Sequence, residues 1–158
     1  MKDRISAQPR ASGIYGMFNL DGAPIKASDA EWFGQYSDSE IRSWLVSGHD
    51  AHFSHAVSFH DGPAGFTVLV GEIEEADDLA LELGVRRSSP AAYLAQTAFD
   101  RFGSNLPAIL IGEWSLLHRA LDGSVTLMIS AAQRDRLFYA KVGKRLAVAP
   151  NLFVLGKI

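Results

Sequence analysis

A chain of 158 residues, 47% apolar and 21% charged, is long enough to bury one core and too short for two comfortable domains. Its net charge of -3, with 15 basic residues scattered along the chain, offers no field that would draw in nucleic acid or an anionic membrane. It has no cysteine, which excludes disulfides, thiolate metal sites and a thiol nucleophile. No stretch approaches the roughly 20 apolar residues of a spanning helix. Residues 1–11 carry basic side chains without an apolar run, so they do not read as a secretory signal, and the expectation is a cytoplasmic protein.

Residues 1–11 are polar, contain Pro9 and lack periodicity, so they read as a flexible arm ahead of a single domain over 12–158. From Gly13 to Leu20 the side chains are apolar or aromatic, as in a strand buried on both faces, and Asp21-Gly22 supplies a turn. Ser28 with Glu31 has the form of a capping box, predicting a short helix over Asp29 to Gln35 whose Trp32 and Phe33, with Tyr36 beyond, pack inward. Partial alternation between Ile41 and His60, broken at Ser47 to Asp50, predicts two strands, with a further turn at Asp61-Gly62-Pro63. Phe66 to Val70 is an apolar strand. Glu74 to Leu83 is a helix stopped by Gly84.

Ser89-Pro90 reads as a helix start, because serine can accept free backbone amides and proline suits the first helical position. Ala91, Leu94, Ala95, Ala98, Phe99 and Phe102 then recur at helical spacing up to Gly103. Ala108 to Arg119 and Val125 to Ala131 predict strands around an Asp122-Gly123 hairpin, and Leu137 to Ala140 pairs with Arg145 to Val148 in a last hairpin. About eight short strands in hairpin order, with two or three helices between them, point to an α+β fold of antiparallel sheet covered by helices.

Three blocks in this order carry a resemblance. Ser12-Gly13-Ile14-Tyr15-Gly16 is similar to the opening Cys-Gly-Ile-x-Gly of class II glutamine amidotransferase domains, found in the amino-terminal half of asparagine synthetase-like enzymes. Val70-Gly71-Glu72-Ile73 resembles that family's Asn-Gly-Glu-Ile. Gly112 to Leu116, with Leu137 to Ala140 and Arg145 to Ala149 after it, resembles its closing strands. The resemblance implies the fold of N-terminal nucleophile hydrolases, a four-layer αββα sandwich of two antiparallel sheets between helix layers.

It also implies a site, and four of its positions are altered here. In the family a terminal cysteine attacks glutamine and its own α-amine is the base. Ser12 stands at the nucleophile position, but eleven residues precede it and its nitrogen is an amide. The oxyanion hole would combine an asparagine side chain with the next backbone amide; Gly71 retains the second and Val70 replaces the first, a loss that typically costs about 10²- to 10³-fold in rate. The arginine that holds the substrate carboxylate aligns with Ala51, and the aspartate that holds its amine aligns with Ser89.

Other candidates have plainer explanations. His49, His52, His55 and His60 lack the spacing of a zinc set, since on a strand His52 and His55 would point to opposite faces. Asp77-Asp78, with Glu72, Glu74, Glu75 and Glu82, suits the solvated face and N-terminus of a helix. Ser54 and Ser58 near His55 and His60 have no nucleophile elbow and no oriented base. Gln133 to Arg136 reads as an exposed turn.

The reading that follows is a catalytically degenerate glutaminase-like domain of an ATP-dependent amide- or lactam-forming system, kept for structure and docking, with no glutaminase activity of its own. The chain would use no metal or cofactor. ATP and magnesium would belong to a synthetase-like partner domain or chain, and a homodimer is a second arrangement. The absence of a pyrophosphate-binding Ser-Gly-Gly-x-Asp-Ser loop, and the ending at Phe153 to Ile158, lean towards a split or truncated protein. Two alternatives stand beside it: an active serine hydrolase once residues 1–11 are removed, and a module that reuses the glutamine pocket for another small molecule.

Overall fold

Alternation of apolar residues at two-residue steps and recurrence at three- and four-residue steps partition the described residues into fourteen strands and α-helices plus one 3-10 turn. The computed structural model describes residues 13–35, 41–46, 49–54, 57–132 and 136–156, with side chains left undescribed at 32, 33, 41 and 49. In order these are β1 (Gly16–Asn19), α1 (Ala27–Gly34), β2 (Ile41–Val46), β3 (His49–Ser54), β4 (Ser58–Gly62), β5 (Gly65–Ile73), α2 (Ala76–Leu83) and α3 (Ala91–Phe102). After the 3-10 turn Gly103–Asn105 come α4 (Leu106–Ile109), β6 (Gly112–Ala120), β7 (Val125–Ile129), β8 (Phe138–Val142), β9 (Arg145–Ala149) and α5 (Leu152–Leu155).

The strands form two antiparallel sheets, one of five in the order β2-β3-β1-β9-β8 and one of four in the order β4-β5-β6-β7. The fold class expected from the sequence, α+β with two antiparallel sheets, is the one observed. Strand alternation divides the apolar side chains among three cores. Ile14, Phe18, Ala51 and Phe53 meet Phe66, Val68, Val70 and Leu117 between the sheets. On the far face of the four-stranded sheet, Leu69, Trp114 and Leu116 pack with Ala80, Ala92, Leu94, Ala95 and Ala98 of α2 and α3. On the far face of the five-stranded sheet, Tyr15, Met17 and Ala147 pack with Ala30, Val154 and Leu155 of α1 and α5. Aromatic rings fill the middle of the inter-sheet core: Phe18 meets Phe66 edge-on at 5.3 Å, and Phe53 lies across the position where Gly16 has no side chain, 1.9 Å from where a Cβ would sit.

Several elements depart from the sequence expectation. The stretch from Ile41 to His60 holds three strands, because β4 runs through Asp61-Gly62 and the turn falls at 63–64. The strand expected from Ala108 begins instead at Gly112, because Leu106–Ile109 form a helical turn with Pro107 near its start. α1 starts at Ala27, which puts Ser28 inside the helix where it cannot act as the cap. The cap position of α3 is Pro90, not Ser89, and the cap hydrogen bond comes from elsewhere: the amide of Ala92 donates to Ser58 Oγ at 3.0 Å. The proposed packing of Tyr36, Trp32 and Phe33, and the arm over residues 1–11, lie outside the described residues.

Candidate functional site

β1 is the central strand of its sheet, held between β3 and β9, so the segment leading into it is fixed on both sides. Gly13 adopts φ +143 and lies so close to Pro150 that a Cβ would sit 2.9 Å from the proline ring. Ile14 and Tyr15 are fully buried, and the Ser54 amide donates to the Tyr15 carbonyl at 2.8 Å. Ser12 itself lies outside the described residues.

Val70 and Gly71 follow each other on β5. Val70 is 8% exposed and belongs to the inter-sheet core with Ile14 and Val148, so its isopropyl group is close-packed and offers no donor. Gly71 has φ +102, and a Cβ there would come 2.0 Å from the Glu113 carbonyl oxygen of β6. The glycine is therefore required by main-chain proximity of the two strands. Ala51 lies opposite Phe18 on β1 and Trp44 on β2, fully buried between the sheets. That register sets it two residues, roughly 7 Å, along the strand from Gly16. Ser89 lies in the loop before α3, on the helix-covered side of the four-stranded sheet, its amide donating to the Arg86 carbonyl. Ile14, Val70 and Ala51 thus share the inter-sheet core, while Ser89 sits apart from it, in the loop before α3.

Two buried polar groupings went unnoticed in the sequence. On the outer face of the five-stranded sheet, Ser43 Oγ lies 2.7 Å from His52 Nδ1, while His52 Nε2 and Ser54 Oγ are buried without a hydrogen-bond partner among the described residues. Burial holds the His52 imidazole below its ordinary value, with Asp50 opposing in part. Among the described residues no acid meets its far nitrogen, so none of them supplies the orienting group of a hydrolytic triad. Beneath α3, Thr67 Oγ1 donates to Gln96 Oε1 at 2.9 Å and lies 2.9 Å from His118 Nδ1. The threonine proton is committed to Gln96, so His118 must donate from Nδ1 and is the Nδ1–H tautomer. The signal for this trio was a lone Gln on the apolar face of α3 and single polar residues within apolar strands.

His60 rests against the Tyr93 ring at 4.8 Å, His55 lies outside the described residues, and no metal-holding group of three or more His, Asp or Glu occurs among the described residues. The carboxylates Glu72, Glu74, Glu75, Asp77, Asp78 and Glu82 are all exposed. No helix among the described residues is long and apolar enough to cross a membrane. No protein-family model matches the chain, and no curated protein matches it.

Proposed function

We propose that the chain is a catalytically degenerate glutaminase-like domain with the αββα layering of N-terminal nucleophile hydrolases, retained as a structural and docking partner for a synthetase-like, ATP-dependent amide- or lactam-forming domain or chain. The reading is carried by Val70-Gly71. The glycine is kept for a backbone reason, while the position that would hold an amide donor carries a valine packed between the sheets. The three apolar cores, with α1 and α5 outside one sheet and α2 and α3 outside the other, support the layering. The burial of Ala51 among aromatic side chains supports the loss of the substrate clamp, since a guanidinium there would be desolvated without a partner.

The test is ammonia release from glutamine by the intact purified chain, read with glutamate dehydrogenase. The expected result is no release above the buffer rate and no difference for Ser12→Ala. Release that is abolished by Ser12→Ala overturns the reading. Release confined to a form beginning at Ser12, identified by mass spectrometry, supports an active serine hydrolase instead.

A further inference from the structure

The sheets differ in width, five strands against four, and the mismatch is expressed on one side of the molecule. On the side of the edge strands β2 and β4 the gap is filled by rings: Trp44 stacks on Phe59 at 4.4 Å, and Phe53 and Phe66 lie 6.4 and 5.8 Å from Phe59. Between β7 and β8 there is instead a groove of about 450 Å³, lined by Val125, Leu127, Tyr139, Lys141 and Leu146 among others. Phe138 and Ala140 pack against the outer core, so alternation turns Tyr139 and Lys141 inward, towards the other sheet. Tyr139 is nevertheless 64% exposed, because no described strand lies over it.

Among the described residues the main chain along the groove also makes no bond on its open side. The Ser130 amide donates to the Trp114 carbonyl, and the Ala120 amide donates to the Ser124 carbonyl. Bonded and non-bonded pairs alternate in an antiparallel ladder. With Thr126 opposite His118 and Met128 opposite Leu116, those two residues direct their main-chain groups to β6. Val125, Leu127 and Ile129 therefore direct theirs to the open edge. The same three residues also turn their side chains to the groove side of the strand.

We infer that this edge receives an extended segment of a partner protein as a fifth strand. The segment bonds to the main chain of Val125, Leu127 and Ile129, lays alternate apolar side chains over Tyr139, and sets a carboxylate against Lys141. Lys141 supplies the charge: among the described residues it makes no ion pair and is the one charged group lining the groove. A second copy fits less well, because β7 reads Val-Thr-Leu-Met-Ile with no acid, and its neighbouring β8 would bring a second Lys141. The surface stands whether or not the glutaminase-like ancestry holds.

The experiment is selection of a phage library of random linear peptides on the full chain, followed by fluorescence anisotropy with the synthetic consensus peptide. Expected are enriched sequences that alternate apolar residues and carry an acid. Leu127→Pro removes an edge amide that makes no bond inside the sheet, and should weaken binding about tenfold or more. Lys141→Glu should shift the selected sequences from acidic to basic, and serves if Leu127→Pro fails to fold. Absence of alternating sequences, binding indifferent to both variants, or sedimentation as a dimer that Leu127→Pro dissociates would each overturn the inference.

Discussion

A methyl group on Gly71 would have to fit 2.0 Å from the Glu113 carbonyl oxygen, at a φ of +102 that side chains rarely adopt. Neither term relaxes without moving β5 away from β6. Gly71→Ala should therefore lose at least about 2 kcal/mol, read as a lower urea midpoint at unchanged slope. The residue was legible in the sequence only as part of a four-residue block. Its physical reason was not, because the obstructing atom belongs to a strand far along the chain. Ala51 shows the reverse case, where alignment assigned it to a substrate clamp and register with Phe18 put its side chain between the sheets. Alternation states that Ala51 and Phe53 share a face, but not which face meets the second sheet.

α3 shows what an element reveals by itself. Its apolar repeat predicted the helix to its last residue, since that repeat is a property of neighbours on one face. Its cap was misjudged: Ser89 precedes the helix in sequence, yet the hydroxyl that meets the Ala92 amide comes from Ser58 on β4. Ser58→Ala should lower stability by about 1 kcal/mol in urea unfolding, while Ser89→Ala should change it by no more than a few tenths. Opposite results would restore the local cap. The four-residue α5 escaped notice because it is too short to show periodicity, although its cap was present as Asn151, whose Oδ1 accepts from the Val154 amide at 3.0 Å.

At the scale of the whole molecule, stability is tied to proton uptake by two buried histidines. Burial lowers both His118 and His52 from the ordinary 6.5, with Asp100 and Asp50 opposing in part. Above that value folded and unfolded chains both hold neutral imidazoles, and stability from this source is complete. As pH falls below 6.5 the unfolded chain takes up protons first, so stability declines until the depressed folded values are reached. Urea midpoints should be level above about pH 6.5 and fall below it. His118→Gln should make that fall shallower even if its absolute stability is lower, whereas an identical slope would remove His118 from the account.

What the sequence determined by itself was local: the span of α3, the glycine stop of α2, the hairpin at Asp122-Gly123, and from their sum antiparallel sheet covered by helices. Each depends on residues a turn or less apart. Only the tertiary structure decided which polar groups meet, as Thr67 does with Gln96 and His118 across 29 and 51 residues. It alone also decided which serine caps α3, why Gly71 has no side chain, and that β7 is left with an open edge. Periodicity fixes the face a residue occupies, while the partner across that face is set by how distant strands close on one another.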